Sequence, residues 1–222
     1  MNLFTLLKGA GYDAAGIADA EVSLVTEDSR KVKAGSVFVC VKGARFDGHD
    51  AAASAVESGA VLIVAERDTG VKNQLIVSDT REAFSLLSAS FFSNPARKLR
   101  LVGVTGTNGK TTTCFLLKAI FESLGHKTGL VGTVKNMVGD KEYPAHLTTP
   151  DPFELNSLFA QMVDAGCEFC VMEVSSQGLM LHRVGGFVFD YGIFTNLSPD
   201  HIGGNEHKDF EDYLYCKSLL FR

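Results

Sequence analysis

The stretch Leu101-Val102-Gly103-Val104-Thr105-Gly106-Thr107-Asn108-Gly109-Lys110-Thr111-Thr112-Thr113 decides how this chain is read. A short apolar run ends in a glycine turn, and a Lys-Thr pair then opens a helix. Such a turn aims several backbone N–H groups and a helix N-terminus at one point, which suits a polyphosphate. Lys110 adds a point charge, and the Thr111 hydroxyl is placed to ligate magnesium. The position five before Gly109 is Val104, so the strict G-x-x-x-x-G-K-[ST] spacing is not kept. The bland alternative is a strand-to-helix turn rich in small residues.

Outward from this loop the chain alternates strand-like and helix-like segments. Toward the N-terminus, apolar runs at 36–41, 60–64 and 74–77 read as strands. Between them, 50–58 reads as an alanine-rich helix stopped by Gly59, and about 80–92 as a helix with Phe84, Leu87 and Phe91 on one face. Asn94-Pro95 breaks the pattern, and two domains are predicted, 1–97 and 98–222. In the second, the reading is strand 101–105, helix 111–124, strand 128–132, a loop, helix 152–165, then strands 168–174 and 189–195. That order predicts an α/β fold: a small N-terminal α/β domain, then a P-loop-type domain with a parallel, doubly wound sheet. Three polar clusters fall at strand ends, at 105–112, 173–176 and 195–201. Ligands of such sheets sit beyond the carboxyl ends of the strands.

Composition narrows the partners. The 222 residues are 45% hydrophobic and 21% charged, with a net charge of -5, which gives no reason to expect nucleic acid. No signal peptide or membrane span is legible, so a cytoplasmic location is expected. The five cysteines are odd in number and scattered, which speaks against a disulfide framework. Cys167 and Cys170 have C-x-x-C spacing but no second pair or nearby histidine, and buried inert thiols are the expectation.

The last segment, 209–222, reads as a helix that stops without a glycine cap or polar tail, as the front portion of a longer protein would. Wound at about 100° per residue, Phe210, Tyr213, Leu214, Leu220 and Phe221 gather on one face, with Lys217 near its middle. Lysine is rarely buried without compensation. Either its stem snorkels outward, or the amine reaches into a site. A desolvated lysine has a lowered pKa, and its neutral amine can combine with carbon dioxide to give a carbamate, an anion that suits magnesium.

Three motifs together, Gly106-Thr107-Asn108-Gly109-Lys110-Thr111-Thr112, Met172-Glu173-Val174-Ser175-Ser176 and Asn196-Leu197-Ser198-Pro199-Asp200-His201, resemble those of the Mur ligase family. The N-terminal series Asp28-Ser29-Arg30, Gly35-Ser36-Val37-Phe38-Val39, Lys42-Gly43 and Asp47-Gly48-His49 is similar to that family's uridine-nucleotide-binding domain. Thr148-Thr149-Pro150 favours the branch that adds the third amino acid to UDP-N-acetylmuramoyl-L-alanyl-D-glutamate in peptidoglycan precursor synthesis.

The resemblance implies an ATP-dependent, magnesium-requiring carbon–nitrogen ligase working through an acyl phosphate. It implies that Gly106, Thr107, Asn108, Gly109, Lys110, Thr111 and Thr112 hold ATP, and that Thr111 and Glu173 hold one magnesium. His201 and a carbamylated Lys217 would hold a second, so that Lys110, Glu173, His201 and Lys217 form the catalytic set. Ser29, Gly43, Ala44 and Arg45 match the uridine end, and Thr148, Thr149, Ser175 and Arg183 the muramoyl-dipeptide. Leu181 stands where some relatives carry a polar substrate contact, and His182 beside it reads as surface. Simpler roles stay open: Glu173 as a solvated cap, His201 as a turn cap, and Ser175 and Ser176 as loop hydrogen-bonders. A C-terminal domain that binds the incoming amino acid is absent, so a monomeric fragment, inactive by itself, is expected. The alternative is a non-catalytic module that binds a UDP-muramoyl ligand and nucleotide. The amino acid added is not legible.

Overall fold

The computed structural model describes residues 1–222 except Arg45, His201 and residues 204–206. Two compact units divide at Ser93/Asn94. The expected boundary after residue 97 falls within the 3-10 turn Pro95–Lys98, which belongs to the second unit.

The first unit opens with α1 (Leu3–Gly9), whose first N–H groups are capped by the Asn2 side chain. Strands β1 (Leu24–Thr26), β2 (Ser36–Val39), β3 (Ala60–Ala65) and β4 (Gln74–Ile76) form a parallel sheet in that order. Helix α2 (Ala52–Glu57) is the second half of the predicted 50–58 segment, its first half being a 3-10 turn. Helix α3 (Thr80–Phe91) starts at Asp79, whose carboxylate accepts from the N–H groups of Arg81 and Glu82. Because β1 and β2 are parallel neighbours, the loops that follow them leave the sheet at the same edge. Ser29 lies on one of these loops and Gly43-Ala44 on the other.

The second unit is built on a six-stranded sheet. Its elements are β5 (Arg100–Thr105), α4 (Lys110–Ser123), β6 (Thr128–Val131), β7 (Lys135–Val138), β8 (Lys141–Pro144), α5 (Pro152–Asp164), β9 (Phe169–Glu173), α6 (Ser176–Met180), β10 (Tyr191–Phe194) and α7 (Phe210–Ser218). The strand order is β10-β5-β9-β6-β7-β8, with β5 and β9 interior. Alternation sorts the side chains of β9: Cys170 and Met172 pack with Leu155, Phe159 and Met162 of α5, whereas Val171 packs with Cys114 of α4.

The sheet is mixed, which corrects the expectation of an all-parallel one. The stretch read as a loop contains the antiparallel hairpin β7–β8, paired to β6. Its two-residue turn is Gly139-Asp140, with Gly139 at φ 58. A Gly-Asp pair is a hairpin-turn signal, so the sequence did carry the turn of this element. Buried Lys118 on α4 ties the hairpin down, donating to the carbonyls of Thr128 (2.8 Å) and Gly139 (3.1 Å) and pairing with Glu122. All five cysteines are free, as expected, and all are buried, which was expected of Cys167 and Cys170. Among the described residues no helix is long and apolar enough to cross a membrane.

The last helix corrects the sequence reading in a second way. The buried face of α7 is Tyr213, Cys216 and Lys217, while Phe210, Leu214 and Phe221 are 38%, 43% and 51% exposed. Lys217 is therefore buried, at 2% exposure, but beside Tyr213 and Cys216 and not among Phe210, Leu214 and Phe221. Its ammonium lies 4.4 Å from the centre of the Tyr213 ring.

Candidate active site

The loop between β5 and α4 makes two left-handed turns, with Gly106 at φ 142 and Gly109 at φ 85. A side chain at Gly106 would collide with the Thr195 hydroxyl, 2.0 Å from the ideal Cβ. The loop is locked to the end of β10: the Thr107 N–H donates to Asn196 O (2.9 Å) and the Asn108 N–H to Asn196 Oδ1 (3.0 Å). Thr107 Oγ1 lies 3.1 Å from the Tyr213 hydroxyl, which fastens α7 to the same loop. Gly109 is the N-cap of α4, so the first N–H groups of a 14-residue helix face the loop's concavity.

Two cations meet at one carbonyl. Lys110 Nζ donates to Gly106 O (2.8 Å) and Thr107 O (2.9 Å), and Lys217 Nζ donates to the same Gly106 O (2.9 Å). Burial pushes the Lys217 amine down to about 8, and the neighbouring Lys110 charge acts in the same direction. Burial also lowers Lys110, opposed by the carboxylates of Glu173 and Asp200.

The anionic counterpart is Glu173, the last residue of β9, 1% exposed. Its carboxylate accepts from Thr111 Oγ1 (3.0 and 2.9 Å), from the Thr133 N–H (2.9 Å) and from Thr133 Oγ1 (3.1 Å). The solvated-cap alternative is thus excluded. Gly132 is required beside it, because an added Cβ would stand 2.4 Å from Glu173 Oε1. Gly132→Ala is expected to displace the carboxylate from Thr111 and to cut magnesium-dependent nucleotide affinity about tenfold, read by calorimetric titration with and without magnesium. Unchanged affinity would show that the carboxylate does not act there.

A cavity of about 160 Å³ opens between these groups, lined by Lys110, Lys217, Arg183, Thr148, Ser175 and Ser176 among others. Thr148 Oγ1 is 3.0 Å from Thr133 Oγ1. Thr149 is fully buried and its hydroxyl is committed inward, donating to Glu173 O (3.1 Å) and accepting from the Ser175 N–H (3.0 Å). Ser175 caps α6 by accepting from the Gly178 N–H (3.0 Å), and Arg183 donates to Thr149 O (3.0 Å). Thr112 is exposed on the first turn of α4, and His182 is exposed with a left-handed backbone, φ 55.

The structure therefore gathers Gly106 to Thr111, Thr148, Glu173, Ser175, Arg183 and Lys217 around one region, with Thr149 behind it. Arg45 and His201 lie outside the described residues. Ser29, Gly43 and Ala44 belong to the other unit. Thr133, His207 and Tyr213 were missed as site residues. Thr133 follows Gly132 just after a strand, a position at which a polar residue deserved notice; nothing local marks the other two.

The donor set fits a magnesium ion at one place. Thr111 hydroxyl and Glu173 carboxylate oxygens stand 2.9–3.0 Å apart, and hard oxygens at a strand end suit a hard cation. The Lys217 amine is no ligand for such an ion unless it is converted to an anion.

Fold and site define an α/β chain with a small parallel-sheet unit and a glycine-loop unit. The Mur ligase middle domain matches residues 104–222, and the description "Mur ligase family, catalytic domain" matches residues 21–91. The chain belongs to the Mur ligase family. It is 46% identical over 225 residues to a UDP-N-acetylmuramoyl-L-alanyl-D-glutamate–2,6-diaminopimelate ligase of Clostridium perfringens, covering all of this chain and 46% of the relative. A solved structure of a ligase with the same name superposes with a TM-score of 0.76 at 28% identity, over 90% of this chain and 41% of the other. A MurF structure from Acinetobacter baumannii shares the fold, with a TM-score of 0.62 at 21% identity over 98% of this chain and 45% of the other. The chain spans about half the length of the curated relatives it matches.

Proposed function

We propose that this chain carries the ATP site and the UDP-muramoyl-dipeptide site of an ATP-dependent amide-bond ligase of peptidoglycan precursor synthesis. The relatives' names point to UDP-N-acetylmuramoyl-L-alanyl-D-glutamate as the acid and 2,6-diaminopimelate as the amine. The observation that carries the reading is the pair of ammonium groups on Gly106 O, set in one cavity wall with the Thr111–Glu173 pair close by. Two cations, Lys217 buried and Lys110 half-buried, share one neutral carbonyl, and an incoming polyphosphate supplies charge to both.

In this reading a substrate carboxylate oxygen attacks the terminal phosphorus of ATP, ADP leaves, and an acyl phosphate forms. The amine then adds to the acyl carbon, phosphate leaves, and the nitrogen loses a proton. Phosphoryl transfer asks mainly for positioning and charge neutralisation. The loop of Gly106 to Thr112, P-loop-like in a doubly wound domain, cradles the phosphates, and Lys110 turns from its own loop carbonyls to them. Arg183 holds the acid in line, and Ser175 and Thr148 fix the substrate beside Thr149, whose buried hydroxyl positions Ser175. Thr111 and Glu173 would hold magnesium, which supplies charge neutralisation at the phosphoryl oxygens when bound. His201 and a carbamylated Lys217 are proposed for a second ion. Ser29, Gly43, Ala44 and Arg45 are assigned to the uridine end in the other unit, where the two loops leave one sheet edge.

The test is calorimetric titration of the 222-residue chain with ATP, with and without magnesium. Binding in the micromolar range is expected, and Glu173→Gln should weaken only the magnesium-dependent part, about tenfold. Absence of nucleotide binding would sink the proposal.

A further inference from the structure

His207 is a buried histidine that the reaction scheme leaves without a task. Its side chain is completely buried, between α6 and α7. Nδ1 lies 3.3 Å from Asp212 Oδ2, and Nε2 lies 2.8 Å from Ser176 Oγ. The ring also packs against Tyr213, with centroids 5.1 Å apart.

With a neutral ring, these contacts set the direction of each proton. A carboxylate oxygen only accepts, so Nδ1 carries the hydrogen in the neutral ring. Nε2 is then a lone pair, and the hydrogen bond to Ser176 runs from the serine to the histidine. Ser176 has one hydroxyl proton, and it is spent inward. Ser176 is also part of the cavity wall, which it shares with Ser175, Lys110 and Arg183. Toward the cavity its oxygen can therefore only accept.

This divides the cavity by polarity. Lys110 and Arg183 are donors with positive charge, suited to carboxylate and phosphate oxygens. Ser176 is an acceptor without charge. A ligand that satisfies both halves carries an anionic oxygen group and an N–H within a few ångströms of each other, as an N-acylated amino acid does.

We propose that Ser176, its proton committed to His207 by Asp212, reads the amide N–H next to the substrate's carboxylate, with His207 as its positioning residue. The assignment rests on the ligase reading above and adds to it which group selects an amide. The alternative is that Ser176, His207 and Asp212 are a structural strut between α6 and α7.

The test has two arms on the 222-residue chain, both at about pH 8. In the first, ¹⁵N-labelled histidine is observed by NMR without ligand. A protonated Nδ1 and an unprotonated Nε2 are expected for His207, and the opposite tautomer overturns the proposal. In the second, UDP-N-acetylmuramoyl-L-alanyl-D-glutamate is compared by calorimetry with its ester analogue, in which oxygen replaces the glutamate amide nitrogen. The amide is expected to bind about tenfold tighter. Ser176→Ala should erase this preference while leaving ester binding within about twofold. His207→Leu should shrink the preference, and His207→Gln, which keeps an acceptor where Nε2 stood, should restore it. A strut would lower the melting temperature of these variants without changing the amide-to-ester ratio. Equal binding of the two ligands by the wild type, or a preference that survives in Ser176→Ala, overturns the proposal. Binding of neither ligand overturns the substrate reading and the amide assignment together, while the NMR arm still decides the polarity of Ser176.

Discussion

Lys110→Ala is expected to raise the dissociation constant for magnesium-ATP about a hundredfold, with the fold intact by circular dichroism. A charge-assisted hydrogen bond contributes roughly 1.5–3 kcal/mol, and each 1.4 kcal/mol is a factor of ten. Lys110 Nζ stands at the centre of its own loop, bonded to two carbonyls, so swinging it outward to a phosphate moves only the side chain. The loop keeps its shape without it, because Thr107 and Asn108 are tied to Asn196. A loss of less than about threefold would show that the loop's N–H groups bind alone.

Lys217→Met is expected to make the protein more stable at neutral pH. The folded amine has a pKa of about 8 against an ordinary 10.5, so the folded state binds its proton less well than the unfolded state does. The cost to folding is fully present below pH 8 and fades as pH rises toward 10.5. At about 1.4 kcal/mol per pH unit it amounts to about 3 kcal/mol at pH 7, roughly 6–12 °C in melting midpoint. The buried cysteine thiols, pushed up by burial, act in the opposite direction above about pH 9. The informative quantity is therefore the variant's stability minus the wild type's, measured in urea at each pH. That difference should be largest at pH 7 and small by pH 10. A constant difference would mean that Lys217 is not titrating in the fold. In the same variant, the carbamate carbon signal expected from ¹³C-bicarbonate should be missing. A lysine whose burial weakens the fold points to use in chemistry.

Much of this was legible from local order. Glu173 closes a β-strand and Thr111 opens a helix, and parallel topology brings such ends together. Lys217 was singled out correctly as a lysine under burial, yet its companions were misassigned. Hydropathy places Phe210, Leu214 and Phe221 inside, whereas burial is decided by what α7 meets, and it meets the polar loop at Gly106 and Thr107. The β7–β8 hairpin was missed although Gly139-Asp140 announces it, because the flanking strands alternate too weakly to stand out. Thr133 and His207 were out of reach for another reason. Their partners are 40 residues away at Glu173 and 31 away at Ser176, and only the folded chain joins them.

The shared carbonyl of Gly106 has a consequence for how binding is measured. An arriving phosphate does not find idle lysines; it must outbid a peptide oxygen that already holds two of them. Binding is thus a swap of partners, with the bonds of Lys110 to the Gly106 and Thr107 carbonyls surrendered for ammonium–phosphate ones. Heat released on titration will understate the strength of the new contacts by the heat of the old.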